Sequence, residues 1–175
     1  MIGNTLNKRQ SNRGLLTISF FLLLFLNACT PPKTNQNSVQ ETPVKNDLPE
    51  MTITKFDGSQ LNLKMLDKKA VIVFFRPDCD HCQREAEQIK ENLLSFKNYV
   101  IYFISADPID QIEKFASSYE LKEQPNVVFG WTASENILSN YGSISAPALY
   151  IYSDHHQLVK AFDGEIPIGT VLPFL

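Results

Sequence analysis

Two cysteines separated by two residues are the most reactive groups in this sequence of 175 residues. Cys79 and Cys82 enclose Asp80 and His81, and the motif lies between an apolar run and a helical pattern. A pair at this spacing can exchange disulfides, bind a metal ion or form a structural bridge. The cellular compartment, the surrounding fold and the third cysteine, Cys29, distinguish these chemistries.

The first 28 residues have the pattern of a secretion signal. Three basic residues precede an apolar run at residues 15–26, which is too short to cross a bilayer comfortably. The run leads into Leu-Asn-Ala-Cys, which ends at Cys29 and resembles the lipobox of bacterial lipoproteins. In those proteins the cysteine is acylated and becomes the first residue. The resemblance implies a signal peptide over residues 1–28 and a lipid on Cys29. An ordinary signal peptide followed by a chance cysteine is the alternative.

Export and lipidation would leave one thiol pair in the chain. Disulfides persist outside the cytoplasm, and a lipid on Cys29 leaves only Cys79 and Cys82. The chain after residue 28 has 13 basic and 19 acidic residues, a net charge of −6, and no basic stripe. Nucleic acid is therefore not an expected partner. The predicted location is extracytoplasmic, anchored by lipid to a membrane and facing the periplasm or the cell exterior.

The composition changes sharply between the N-terminal part and the rest of the chain. Residues 29–48 are polar and contain prolines, which predicts a flexible tether behind the lipidated cysteine. The folded domain is predicted over residues 49–175. It opens with a β-hairpin around Asp57-Gly58-Ser59, and then apolar β-branched runs alternate with amphipathic helical patterns. This order predicts an α/β fold with a central mixed sheet flanked by helices and an N-terminal β-hairpin extension.

The elements around the motif assign different roles to its two sulfurs. A strand over residues 70–75 leads into a helix from about Cys79, and the N–H groups at a helix N-terminus stabilise a thiolate. The apolar stripe of that helix includes Cys82, so Cys82 is predicted to be shielded and Cys79 exposed. Cys79 then attacks and Cys82 resolves the mixed disulfide. Asp80 and His81 oppose each other in charge, and both are predicted to tune the redox poise.

The motif and two later segments resemble the thioredoxin superfamily. "VIVFFRPDCDHC", then "SAPALYIY" and "LVKAFDG", are similar to extracytoplasmic thiol–disulfide oxidoreductases of the TlpA or redoxin type, over residues 51–175. The resemblance implies a thioredoxin-like fold, a redox-active Cys79–Cys82 disulfide, no cofactor, and a cis-proline at Pro147 that receives the substrate backbone. It also implies protein thiols and disulfides as substrates. Because the resemblance is to membrane-anchored reductases, it favours reduction of disulfides in exported proteins over their oxidation. Such a reductase needs a membrane electron donor, which the sequence does not identify.

Several positions depart from the pattern of these families. Val73 stands where thioredoxins have a buried aspartate that deprotonates the resolving thiol, so another group or water must take that proton. Asp78 replaces the usual aromatic residue, and Asp80-His81 replaces the usual glycine and proline. Peroxiredoxins have a threonine three residues before the reactive cysteine. This chain has Arg76 there, which makes peroxidase activity a weaker alternative.

Metal binding is the main alternative from another class. Copper-delivery proteins with this fold use two cysteines and a distant histidine, although they space the cysteines by three residues instead of two. The candidate ligands here are Cys79, Cys82, His81, His155 and His156. A zinc site would need a further pair of ligands, which the cysteine count does not supply. A structural disulfide is disfavoured, because so small a loop removes little chain entropy.

Overall fold

The structure is a computed structural model that describes residues 48–175. The predicted signal peptide, Cys29 and all of the predicted tether except Leu48 lie outside the described residues. Within residues 48–175, no helix is both long and apolar enough to span a bilayer.

Seven β-strands within residues 48–175 form one sheet. They are β1 (Thr52–Thr54), β2 (Gln60–Asn62), β3 (Ala70–Phe74), β4 (Val100–Ser105), β5 (Val127–Trp131), β6 (Ala148–Tyr152) and β7 (Leu158–Asp163). Their order across the sheet is β2-β1-β5-β4-β3-β6-β7. The central β3, β4 and β5 are parallel, whereas β6 and β7 run antiparallel on one side and the β1–β2 hairpin on the other. The mixed sheet and the hairpin extension are as predicted.

The side chains of β3 show why this strand lies at the centre. All five of its residues are buried, as expected for an apolar, β-branched run covered on both faces. Successive side chains point to opposite faces, so Val71 and Val73 enter one apolar cluster and Ile72 and Phe74 enter the other. The sheet therefore separates two cores, each closed by helices or connecting segments.

Four α-helices complete the described fold. They are α1 (Asp80–Glu91), α2 (Ile109–Ser118), α3 (Ser134–Tyr141) and α4 (Ile168–Val171). Buried side chains of α1, α2 and α4 belong to one core, and Tyr141 of α3 belongs to the other, so helices lie on both faces of the sheet. This confirms the predicted layers.

The apolar stripe that begins at Cys82 extends beyond the end of the first helix. The apolar stripe continues to Phe96, but α1 ends at Glu91 and a 3-10 helix, Leu93–Phe96, follows. Asn92 ends the α-helix, since its backbone N–H bonds to Ile89 and its side-chain amide donates to the Gln88 carbonyl at 2.8 Å. The tighter turn still buries Phe96, which is why the apolar spacing continues beyond the helix.

Candidate active site

Cys79 is the N-cap residue of α1. Its backbone is extended, and its carbonyl accepts the first helical hydrogen bond from the Gln83 N–H at 3.0 Å. Cys79 therefore stands at the end of the helix where the first N–H groups have no partners within the helix, although its side chain makes no hydrogen bond to them. Cys79 is half-buried, however, instead of exposed as predicted. Ala146 lies against it, with the Cys79 Sγ 3.8 Å from the Ala146 carbonyl oxygen.

Cys82 lies one turn further along α1 and faces the core. Only 2% of its surface is exposed, as the apolar stripe predicted. The backbone N–H of Arg76 lies 3.5 Å from the Cys82 Sγ. Burial, together with the neighbouring Cys79, raises the pKa of the Cys82 thiol well above its usual range. Cys79 and Cys82 are not bonded to each other in this structure.

The segment before β6 forms the wall opposite Cys79. Because β6 pairs antiparallel with β3, with Ala148 opposite Phe74, its first residues lie beside the strand end that leads into the motif. The Ala146–Pro147 peptide bond is cis, the conformation that the resemblance implies. The Pro147 carbonyl accepts the Gly164 N–H at 2.8 Å. Of these two residues, Ala146 is the one whose backbone carbonyl approaches the Cys79 sulfur.

His81 contacts a carboxylate that is distant in sequence. Its Nδ1 lies 2.5 Å from Oε2 of Glu165, and Arg84 donates to both oxygens of the same carboxylate, at 2.8 and 2.6 Å. The hydrogen bonds from Arg84, and then from His81, lower the pKa of Glu165 to about 2. The sequence reasoning missed Glu165, since no local pattern connects it to a motif more than 80 residues earlier. Asp80 is the first residue of α1 and is exposed.

Glu85 is a buried acid that the sequence reasoning also missed. It is 2% exposed, and its Oε2 has no hydrogen-bond partner among residues 48–175. Burial, with a smaller contribution from the negative charge of Glu165, raises the pKa of Glu85 to about 8. A signal for it was present, because a residue three positions after Cys82 lies on the same helix face, and an acid in an apolar stripe is unusual.

Glu85 is electrostatically coupled to the resolving thiol. Its charge is one of the influences that raise the pKa of Cys82. Val73, at the position of the thioredoxin aspartate, is buried in β3 and has nothing to ionise. Glu85 therefore provides a titratable carboxyl beside Cys82 from the helix, where thioredoxins provide one from the strand.

The surface beside Cys79 has a charged rim and an apolar cleft. Arg76 is paired with Asp78 at 3.2 Å and lies 4.0 Å from Asp107, and its side chain is 60% exposed. Behind it opens a cavity of about 440 Å³ whose apolar walls include Ile137 and Leu138. The backbone that approaches Cys79 also lines this cavity: Ala146 is one of its walls.

The structure separates the histidines that the copper alternative needs. His155 and His156 occupy the turn between β6 and β7, at the opposite end of β6 from Pro147. The ring Nε2 of His156 lies 2.7 Å from the Leu66 carbonyl oxygen, so this side chain is engaged in a structural contact. Within residues 48–175, no three His, Cys, Asp or Glu side chains form a cluster that could hold a metal ion.

Residues 44–161 match the AhpC/TSA family. The chain belongs to this family. No curated protein sequence matches this AhpC/TSA protein. The match extends through the strand, the cysteine motif and the cis-proline segment, and it confirms the resemblance to redoxins.

Solved structures with the same fold have different names and activities. A secreted disulfide oxidoreductase of Mycobacterium tuberculosis homologous to E. coli DsbE shares 18% identity over 71% of this chain and 93% of that chain, with a TM-score of 0.61. ScoI of Arabidopsis thaliana with copper bound shares 15% sequence identity over 70% of this chain and 91% of its own, with a TM-score of 0.57. A peroxiredoxin-like protein from Aquifex aeolicus shares 16% sequence identity over 74% of this chain and 84% of its own, with a TM-score of 0.61. These likenesses show a thioredoxin-like fold, and the choice among activities depends on the site.

Proposed function

We propose that this AhpC/TSA protein is a membrane-anchored thiol–disulfide oxidoreductase that reduces disulfides in exported proteins. The observation that carries the proposal is the asymmetry of the two thiols. Cys79 is half-buried at a helix N-terminus, and Cys82 is 2% exposed behind it. Sequential disulfide exchange needs such a pair, because one sulfur must be accessible to attack the substrate disulfide while the other stays shielded until the mixed disulfide has formed.

The reaction proceeds in two exchanges. The Cys79 thiolate attacks one sulfur of a substrate disulfide, which breaks the S–S bond, forms a mixed disulfide and releases a substrate thiolate that takes up a proton. Cys82 then gives up its proton and attacks the Cys79 sulfur. This second exchange releases the second substrate thiol and leaves a Cys79–Cys82 disulfide. Two electrons and two protons pass to the substrate, and the protein is oxidised by the same amount.

Glu85 supports the second exchange as a proton acceptor. The Cys82 thiol must lose its proton in a buried site that raises its pKa. A carboxyl whose pKa is about 8 is poised near physiological pH, which is where a general base is most effective. Glu85 thus assumes the role that the aspartate missing at Val73 has in thioredoxins.

The direction and the location rest on the resemblance to tethered extracytoplasmic reductases. A reductase outside the cytoplasm must be re-reduced after each cycle, so the Cys79–Cys82 disulfide would receive two electrons from a dithiol of a membrane protein. A lipid on Cys29 would hold the domain beside such a donor. The secreted disulfide oxidoreductase with the same fold is consistent with this compartment.

A redox titration of the Cys29→Ser protein tests the activity. We expect Cys79 and Cys82 to equilibrate with a dithiothreitol buffer as one two-electron couple, at a potential near those of strong thiol reductants. A strongly oxidising potential would reverse the proposed direction. If the pair does not cycle, the oxidoreductase proposal is wrong, and stoichiometric copper uptake by the reduced protein would then favour the metal alternative.

Single-cysteine variants separate the roles of the two sulfurs, and they also distinguish a protein disulfide from hydrogen peroxide as the substrate. Cys82→Ser is expected to accumulate a mixed disulfide with an unfolded, disulfide-containing protein, whereas Cys79→Ser is not. The same proteins are assayed for consumption of hydrogen peroxide. Peroxide consumption that exceeds disulfide reduction in rate would identify a peroxidase instead.

The lipid anchor is tested by metabolic labelling with palmitate in a bacterial host. The full chain is expected to incorporate label and to sediment with membranes, and Cys29→Ser is expected to lose both properties. Cys79→Ser is the matched control, because it removes a cysteine from the folded domain and should leave the labelling unchanged. Labelling that survives Cys29→Ser would contradict the anchor.

A further inference from the structure

Glu165 occupies a loop that contacts both walls of the active site. It follows Gly164, whose φ of +84° is a conformation that glycine adopts without strain. The Gly164 N–H binds the Pro147 carbonyl at 2.8 Å, and the next residue, Glu165, binds the helix that carries the cysteines. One short segment between β7 and α4 therefore connects the cis-proline wall with the cysteine motif.

The contacts of Glu165 form a closed cluster of three side chains. Arg84 Nε donates to Oε1 at 2.8 Å, and Arg84 Nη2 donates to Oε2 at 2.6 Å. His81 Nδ1 lies 2.5 Å from the same Oε2 and 2.7 Å from Arg84 Nη2. The Glu165 side chain is 25% exposed and is the most buried of the three. Two-point binding of a guanidinium fixes both groups more firmly than a single contact would.

The cluster lies within electrostatic reach of the reactive sulfur. The charges of Glu165, Asp80 and Cys79 all act on the Arg84 guanidinium, and Glu165 also acts on the buried Glu85. Arg84 is thus a cation that interacts with the charge at Cys79, and Glu165 neutralises part of it. The geometry agrees, since Gly164 binds Pro147 and the carbonyl of the adjacent Ala146 lies 3.8 Å from the Cys79 Sγ. His81, inside the motif, is held by the same carboxylate.

We propose that Glu165 is a positioning residue that makes the Cys79–Cys82 pair more reducing, by holding His81 and Arg84 in place and offsetting the charge of Arg84 beside Cys79. The inference rests on the proposed thiol–disulfide exchange and deepens it. The dithiol form is favoured by anything that stabilises the Cys79 thiolate, and this makes the pair a stronger oxidant. A fixed negative charge next to Arg84 has the opposite effect and favours donation of electrons.

The test uses the redox equilibrium of the Cys29→Ser protein with glutathione. Glu165→Gln keeps the size of the side chain and removes its charge, so we expect the equilibrium to move toward the dithiol by about threefold to tenfold, or about 15–30 mV. Arg84→Met removes the cation and leaves the carboxylate, so we expect a shift toward the disulfide. Glu113→Gln is the matched control, since it removes a surface carboxylate whose partner, Lys122 at 2.7 Å, is not part of the motif or of the Glu165 cluster.

The opposite signs separate an electrostatic role from a structural one. If the substitutions only loosened the loop, Glu165→Gln and Arg84→Met would shift the redox equilibrium in the same direction. Because they remove opposite charges, we expect them to shift it in opposite directions. The inference stands only if Glu165→Gln shifts the equilibrium about threefold or more toward the dithiol and Arg84→Met shifts it the other way. Any other result in a protein that still cycles overturns it. If the parent protein does not equilibrate with glutathione or dithiothreitol, the proposed function itself fails.

Discussion

Cys82 and Glu85 lie on the same face of α1 and share one buried environment. Each has a pKa raised mainly by burial, so each resists carrying a negative charge, and the charge of Glu85 further raises the pKa of Cys82. The arrangement is costly for the fold and useful for exchange, because only one of the two groups needs to be ionised at a time.

Replacement of Glu85 by glutamine should slow the second exchange. The amide cannot take the Cys82 proton, so we expect oxidation of the dithiol by a model disulfide to slow about tenfold to a hundredfold at pH 8. Attack by Cys79, followed as alkylation by iodoacetamide in the Cys82→Ser background, should change much less. Glu87→Gln, on the exposed side of α1, is the control. Equal rates for the parent and Glu85→Gln would show that water or another group takes the proton.

The same substitution should change how stability depends on pH. The pKa of Glu85 is about 8 in the folded protein and about 4.5 when the chain is unfolded. Below pH 4.5 the carboxyl is protonated in both states and costs nothing. As the pH rises toward 8, the unfolded chain ionises readily and the folded one resists, so the free energy of unfolding falls across this range.

Urea unfolding of the dithiol form measures this effect. We expect the parent protein to lose a few kcal/mol relative to Glu85→Gln between pH 4.5 and 8, since one pKa unit corresponds to about 1.4 kcal/mol. The difference in the free energy of unfolding between the two proteins removes the contribution of the other titrating groups, which both proteins share. Parallel stability profiles would contradict a raised pKa at Glu85.

The N-terminal hairpin joins the sheet through a close approach to β5. β1 pairs with β5 at a single residue pair, Thr54 with Trp131, and Ile53 is fully buried beside them. Gly130 allows this approach. A Cβ on Gly130 would lie 2.6 Å from the Ile53 Cδ1 and 3.0 Å from its Cβ. The hairpin extension therefore depends on a glycine in the neighbouring strand.

Gly130→Ala should weaken this junction. The added methyl group overpacks the contact with Ile53, and we expect a loss of about 1–3 kcal/mol in the free energy of unfolding. Gly169→Ala is the matched control, because a Cβ there meets no atom within 4 Å. Denaturant unfolding of both variants measures the difference. A neutral Gly130→Ala would mean that Ile53 moves aside at little cost.

Over the whole molecule, the described domain is anchored at its first residue. Leu48 was predicted as the end of the tether, but it is 1% exposed and belongs to the core that contains Ile72 and Phe74. Its N–H donates to the His156 carbonyl at 2.8 Å. The same turn that carries His156 therefore fixes the point at which the chain enters the domain.

Truncation of Leu48 tests this anchor. Leu48→Ala should reduce the free energy of unfolding by about 2–4 kcal/mol, because it opens a cavity in a closed core. Leu94→Ala removes the same atoms from a side chain that is 87% exposed, and we expect a change within about 0.5 kcal/mol. Thermal or urea unfolding of the full chain compares the two. Similar small losses would show that Leu48 only lies against the domain surface.

The sequence by itself determined the elements and the reactive pair. Local patterns were sufficient, because apolar alternation, turn residues and the apolar stripe of α1 depend on neighbours a few positions away. They predicted the hairpin, the central strand, the mixed sheet and the burial of Cys82. The resemblance to redoxins, which depends on motifs quoted from the sequence, is confirmed by the family match.

Only the tertiary structure decided what surrounds the two sulfurs. Ala146 covers part of Cys79, and Glu165 holds His81, and both residues come from segments more than 60 positions away. Glu85 was within reach of the local pattern, but its significance appears only once burial removes it from water and raises its pKa. Long-range packing sets solvent exposure and neighbouring charge. Solvent exposure and neighbouring charge control the ionisation of a thiol, and both depend on residues that are distant in sequence from Cys79 and Cys82.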